Sequence, residues 1–365
     1  MTEYSPDPSR SRLLPLAWLV CSMAVTGCSD SPSPTHPEVL DLPRSEGSCH
    51  ALSNCTKTVD GVLVFESRIP EENGEAVFSI RPDGSDLRQL TEGFDDLNGV
   101  HAGPRGRIVF SARQAGSYDI FLMESDGSSL IQLTNTMEQE FSPVLSPTGD
   151  KFAFSRETQG LQQIWVATVD APGSATRVTT GGAGGDNYVD WAPDGSTLAF
   201  ARNFGGSNWE VYTVGVDGSG ERRLTFNLDN DAFPEWSPDG SRIAFASSRG
   251  GNWDVYAVDP DGSGLTRVTS DPTIDSHPTW SPDGSEIAFT VIHGADRFLY
   301  RTPAQGTELG RQPILSTEGY SPTASWGGVV DPAVMADCRR GGWVDFGFRN
   351  QGQCIRFLKT GKDSR

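Results

Sequence analysis

The chain has 365 residues and a formal charge of −19, from 29 Lys and Arg against 48 Asp and Glu. So acidic a surface repels nucleic acid and anionic lipid headgroups and favours cationic partners. With 41 Gly and 24 Pro the composition fits a chain made of tight turns, and points to one large β domain.

A targeting segment comes first. Arg10 and Arg12 precede an apolar run from Leu13 to Val25, of signal-peptide length and too short to span a bilayer comfortably. It ends in Val25-Thr26-Gly27-Cys28, which resembles the lipobox of bacterial lipoproteins. The resemblance implies removal of residues 1–27 and a diacylglyceryl group on Cys28; the alternative is plain secretion with an unmodified thiol. Acyl chains contribute about 0.8 kcal/mol per buried methylene, so several on one residue make a permanent anchor. Ser29 at the next position resembles an outer-membrane sorting signal. Residues 28–56 then read as a Pro- and Ser-rich tether without hydrophobic period.

From residue 57 to 328 the chain is a set of copies. The clearest, FPEWSPDGSRIAFASSRGGNWDVYAVDPDGSGLTRVT, runs from Phe233 to Thr269. Pro238-Asp239-Gly240 and Asp261-Gly262-Ser263-Gly264 carry turn chemistry, while Ile243, Phe245, Val255 and Ala257 alternate with smaller neighbours. The unit is thus a four-stranded antiparallel meander, too small to bury a face alone. Trp191, Trp236 and Trp280 mark successive copies 45 and 44 residues apart. Weaker copies start at Phe141 and Gly103, a partial one covers Gly61 to Thr91, and Tyr320 to Trp326 reads as an innermost strand with nothing after it. Such repeats indicate an all-β propeller. The two incomplete copies complement each other, which predicts six blades closed by the C-terminal strand, or seven if residues before Val59 add a strand.

The repeated W-S-P-D-G-S-x-I-A-F, G-x-W-D-V-Y and D-G-S-G-x-x-R-V-T resemble the TolB-type propeller over roughly Val59 to Trp326. The resemblance implies a periplasmic, non-catalytic scaffold for a protein or peptide. About 30 residues separate Cys28 from the first blade, so the extra amino-terminal α/β domain of TolB is not expected here. TolB-like propellers also resemble oligogalacturonate lyases, which implies the alternative of a polysaccharide-active enzyme or carbohydrate-binding propeller. That alternative needs converging histidines, and only His101, His277 and His293 fall within the propeller.

Candidate site residues lie on the loops of one face. An acid recurs before the innermost strand at Glu140, Asp186, Asp231 and Asp275, with Asp96 and Glu318 displaced by one position. A base recurs after the second strand at Arg68, Arg113, Arg156, Arg202 and Arg249, with His293 in the last blade. Unpaired, six carboxylates about 10 Å apart would repel, by roughly 1.7 kcal/mol per pair at an effective dielectric of 20. Pairing each acid with a neighbouring arginine is therefore the expected arrangement, ahead of a ring that binds a cation or polar ligand. The three repeat tryptophans read as core. Asp229-Asn230-Asp231 and Asp259-Pro260-Asp261-Gly262 superficially suggest calcium but lack the full ligand loop. No G-x-S-x-G elbow, H-E-x-x-H or phosphate loop occurs, so no catalytic residue, metal or cofactor is expected.

Four cysteines remain beyond Cys28, and proximity favours Cys49 with Cys55 and Cys338 with Cys354. Residues 329–365 read as a basic, disulfide-stapled hairpin, worth about 3 kcal/mol to the tail if unstrained. The whole predicts a monomeric envelope lipoprotein, on the outer membrane facing the periplasm or the cell surface, that touches the membrane only through its lipid.

Overall fold

A computed structural model describes residues 61–327, apart from 69–73, 115, 207, 295, 307–309 and 316–322. The signal segment, Cys28, the tether, Cys49, Cys55, Cys338, Cys354, Glu318 and the tail lie outside the described residues. Within them are six four-stranded antiparallel sheets, which settles the choice of six blades over seven. Blade 2 is Leu97–Gly103, Arg107–Gln114, Ser117–Glu124 and Ile131–Gln132, and blade 3 is Gln139–Leu145, Lys151–Thr158, Leu161–Thr168 and Ala171–Arg177. Blade 4 is Asp186–Trp191, Thr197–Asn203, Trp209–Gly215 and Arg222–Arg223. Blade 5 is Asp231–Trp236, Ile243–Ser247, Asp254–Val258 and Thr266–Arg267, and blade 6 is Ile274–Trp280, Glu286–His293, Asp296–Pro303 and Gln312–Leu315.

Blade 1 joins the two ends of the repeat array. Its innermost strand, Thr323–Gly327, pairs antiparallel with Val62–Arg68, setting Trp326 opposite Leu63 and Ala324 opposite Phe65. Glu75–Ile80 and Arg88–Gln89 complete it.

The period-2 pattern of the second and third strands makes each blade apolar on both faces. Each blade has a fully buried phenylalanine at one repeat position, Phe65, Phe110, Phe154, Phe200, Phe245 and Phe289, and blade 3 adds Phe152, each worth about 1.5–3 kcal/mol. Four of them lie near third-strand aromatics at 5.4–6.1 Å between ring centroids. The core does not sit inside a blade but between blades. Ala199 and Val211 of blade 4 pack with Ile243 and Phe245 of blade 5, and Leu63, Phe65 and Ile80 of blade 1 pack with Ala288, Leu299 and Ile314 of blade 6. Clusters of this kind fill all six interfaces.

A recurring threonine holds the short outer strand. Thr91, Thr134, Thr179, Thr225 and Thr269 follow the outer strands of blades 1 to 5, and their hydroxyls accept the N–H groups of Val77, Ile120, Ile164, Val211 and Val255 at 2.9–3.0 Å. The Asp-Gly-Ser turns are fastened similarly: Asp239 accepts from the Ser241 N–H at 2.9 Å and hydroxyl at 2.8 Å, a local bond that favours the turn. Thr225 also donates to the buried Glu210 at 2.5 Å. Replacing Thr225 by Val leaves a buried N–H and a buried carboxylate short of a partner. Denaturant unfolding is expected to show a loss of about 1–3 kcal/mol for Thr225→Val and much less for Thr225→Ser.

Candidate functional site

Glu140, Asp186, Asp231 and Asp275 lie within the first two residues of the innermost strands rather than on the loops before them, as Arg156 and Arg202 lie within the second strands. The four acids expose none of their surface. Each is met by an arginine, as expected from the cost of leaving them unpaired. Arg156 reaches Glu140 at 2.6 and 2.8 Å, Arg202 grips Asp186 through two bonds of 2.7 and 3.0 Å, and Arg249 meets Asp231 at 2.6 Å. Antiparallel register creates the first two pairs directly, since Glu140 lies opposite Arg156 and Asp186 opposite Arg202. In blade 6 the partner differs from the expected one. His293 is exposed, and Arg311, just before the outermost strand, lies 3.2 Å from Asp275.

These guanidinium groups also cover aromatic faces. Arg156 lies over Phe154 and Trp165, Arg202 over Phe200 and Tyr212, and Arg249 over Phe245 and Tyr256, at 4.8–5.3 Å from the ring centroids. They are parts of the fold as well as of the rim. Arg113 is looser, 3.9 Å from the half-exposed Asp96, and Arg68 ends its strand exposed, opposite Glu75. Charge reversal at Arg202 would set a glutamate against both Asp186 and Glu221, its present partners at 2.7 and 2.6 Å. Such a change removes the mate of a buried carboxylate and is expected to cost about 3–5 kcal/mol, so it tests stability rather than binding.

Inside the rim, the innermost strands of blades 2 to 6 each carry a bulge at the same repeat position. The residue there has positive φ: Gly99, Ser142, Tyr188, Phe233 and His277. Only Gly99 has a composition signal, because a Cβ there would sit 2.8 Å from the Ser142 Cα. The left-handed backbone costs a side-chain-bearing residue roughly 1–2 kcal/mol. Three of the strained side chains stack into a wedge lining the central channel, with Tyr188 and Phe233 at 4.3 Å and Phe233 and His277 at 3.7 Å between ring centroids.

Below this wedge runs a belt of side chain to backbone bonds, each linking one blade to the next. Asp190 accepts the Trp236 N–H at 2.8 Å, and Glu235 accepts the Trp280 N–H and the Thr279 hydroxyl at 2.9 Å. Thr279 accepts the Trp326 N–H at 2.7 Å, Ser325 the Ala102 N–H at 3.2 Å, and His101 Nδ1 the Leu145 N–H at 3.3 Å. Val144 interrupts the side-chain belt, and there the Trp191 indole donates to its carbonyl at 3.3 Å. The remaining mouth is lined by Trp191, Trp236, Trp280 and Trp326 with five prolines.

Burial governs the charge of this interior. It pushes Asp190 up to about 7 and Glu235 well above the usual carboxylate range, the latter helped by repulsion from Asp190. Glu66 rises to about 8, from burial first and then the neighbouring Glu75, against the pull of the Gly99 N–H. Burial holds His101 down at about 4 and His277 at about 3, so both are neutral imidazoles. A neutral ring suits His101, whose Nδ1 must keep a lone pair to accept from Leu145. The rim acids are thus paired, and burial favours the protonated form of the waist carboxyls.

His101 and His277 both line the channel, as their place on innermost strands suggested, without converging on one point: one closes the belt and the other caps the aromatic wedge. Among the described residues no group of three or more His, Cys, Asp and Glu is arranged to hold a metal ion. The belt carboxylates and Arg311 escaped sequence reasoning. The available signal was the polar residue directly before each repeat tryptophan: Asp190, Glu235, Thr279 and Ser325.

Six radial four-stranded sheets around a channel make this a six-bladed β-propeller. A family model described as the TolB beta propeller domain matches residues 187–269 and 229–330, so blades 4 to 6 are TolB-like. A TolB homolog from Chlorobaculum tepidum is 28% identical over 167 residues, 44% of this chain and 38% of that protein. An uncharacterized protein of Agrobacterium fabrum is 30% identical over 138 residues, 35% of this chain and 47% of its own length. The chain therefore spans less than half of either relative. Among solved structures, TolB from Acinetobacter baumannii superposes with a TM-score of 0.64 at 20% identity, over 73% of this chain and 66% of that one. A puromycin hydrolase mutant shares the arrangement at a TM-score of 0.51 and 14% identity, over 71% of this chain and 52% of its own. These likenesses are of fold.

The raised carboxyls set a pH dependence with a definite sign. Folded Glu66 and Asp190 hold protons that the unfolded chain releases above about pH 4, so their contribution is complete below the unfolded values and lost as pH rises toward 8. The turn aspartates Asp83, Asp217, Asp239 and Asp261, held low by their serine partners, act only below that window. Denaturant titrations are expected to show stability falling by several kcal/mol from pH 5 to 8, with Glu66→Gln flattening the slope.

Proposed function

We propose that this chain is a non-catalytic lipoprotein of the bacterial cell envelope whose propeller is a scaffold for a protein or peptide partner. The TolB type of blades 4 to 6 carries the reading. A relative named as the Tol-Pal system protein TolB of Geobacter sulfurreducens is 36% identical over 70 residues, 18% of this chain and 16% of that protein. The geometry supports it: a rim whose ionic groups are already paired is rigid before a partner arrives, so little ordering entropy opposes binding.

In this reading Glu140, Asp186, Asp231 and Asp275 with Arg156, Arg202, Arg249 and Arg311 form the frame of the binding face. Arg68, Arg113 and His293 are its freer charges. Residues 1–27 are the signal peptide, the lipid on Cys28 holds the protein at the outer membrane, and residues 28–56 form the leash. Disulfides Cys49–Cys55 and Cys338–Cys354 staple the two flanks, the latter within a tail of residues 329–365, and the protein works as a monomer without cofactor.

Two measurements test this. Growth with an alkyne-bearing fatty acid should label the wild type, and Cys28→Ala should lose the label and move to the soluble fraction. An unlabelled wild type contradicts the anchor. Crosslinking in intact envelopes before lysis should recover a defined protein partner, and its absence contradicts the scaffold.

A further inference from the structure

The loop between blades 4 and 5 exposes two large apolar side chains, where the loop between blades 2 and 3 exposes one, Met137. Phe226 is 74% and Leu228 is 92% exposed, and Phe204 on the neighbouring hairpin is 42% exposed. Asn227 between them is pinned inward. Its N–H donates to Glu210 at 3.0 Å, its amide donates to Asp231 at 2.6 Å, its side-chain oxygen accepts from the Asp229 N–H at 2.8 Å, and its carbonyl accepts from Asn208 at 3.2 Å. Facing Asn227 inward turns both neighbours outward, and four bonds keep them there.

Arg223 completes the arrangement. Its guanidinium lies over Phe204 at 4.9 Å and over Phe226 at 4.8 Å, while it donates to the Glu210 carboxylate at 2.7 Å and the Thr225 carbonyl at 2.6 Å. The cation is thereby neutralised, and what faces solvent is a pair of rings fixed over one guanidinium, with Leu228 and the exposed Asp229 following in the same loop. An apolar cluster held in one conformation loses little freedom on binding, which is the character of an interface hot spot.

We infer that Phe204, Phe226 and Leu228 form a preorganised anchor for a segment of another protein that pairs apolar side chains with a lysine or arginine directed at Asp229. The inference rests on the scaffold reading above and locates its contact on blades 4 and 5, away from the channel. Charge selects the occupant: two copies of a chain carrying −19 repel, as does an anionic membrane, whereas a basic segment is drawn in.

The test selects displayed random linear peptides on the purified full-length protein and measures their affinities. Selected peptides should combine Lys or Arg with aromatic or aliphatic residues and bind more weakly as salt rises. Phe226→Ala with Leu228→Ala should weaken them at least about tenfold, and Asp229→Lys severalfold, with thermal unfolding unchanged because these side chains are exposed. Peptides indifferent to the double variant would overturn the anchor while leaving the scaffold standing. Failure to select any peptide would overturn both. A dimer in light scattering that the double variant disperses would replace the partner with a second copy and equally defeat the proposal.

Discussion

The whole molecule depends on one pairing between distant parts of the chain. Thr323–Gly327 forms the innermost strand of a blade whose other three strands lie at the start of the array. Because the apolar clusters lie between blades, an open array would leave two blade faces uncovered, one of them carrying Leu63, Phe65 and Ile80. Closure covers that face with blade 6 and removes the free innermost edge. It also completes the belt, since Trp326 and Ser325 of the closing strand link blade 6 to blade 2 through Thr279 and Ala102.

Charge is handled differently in two zones. At the rim, every buried acid of the repeat position finds an arginine, and the arginine in turn lies on aromatic rings. At the waist, Asp190 and Glu235 have no arginine beside them and burial favours their protonated form, a push that also raises Glu140 and Asp275 at the rim. Both outcomes follow from the expense of an isolated charge away from water. The result is an acidic protein whose rim charges are largely paired.

Much of this was legible because repetition amplifies weak signals. The W-S-P-D-G turns and the I-A-F strands recur often enough to define the period, and two incomplete copies implied the closure. The acid and base at the rim were visible since they recur at the same repeat positions, and in blades 3 and 4 they are cross-strand partners. Other features left no repeated letter. The belt position is Asp190, Glu235, Thr279 and Ser325 in turn, a shared hydrogen-bonding role with different side chains. The positive-φ bulge is held by Ser142, Tyr188, Phe233 and His277, none of which announces a left-handed backbone. Arg311 reaches Asp275 from the far side of its blade, a contact made only by folding, and Asn227 orients its neighbours through bonds to three other segments.

A rigid face requires a closed ring, so the seam is the place to measure. Hydrogen exchange of backbone amides in the native protein reports it directly, because a paired closing strand opens only with the blades it joins. The amides of Thr323–Gly327 and Val62–Arg68 that bridge the two strands should exchange as slowly as those of Ile243–Ser247 in blade 5. Exchange at the rate of exposed loops in the closing strand, with blade 5 still protected, would contradict the closed propeller.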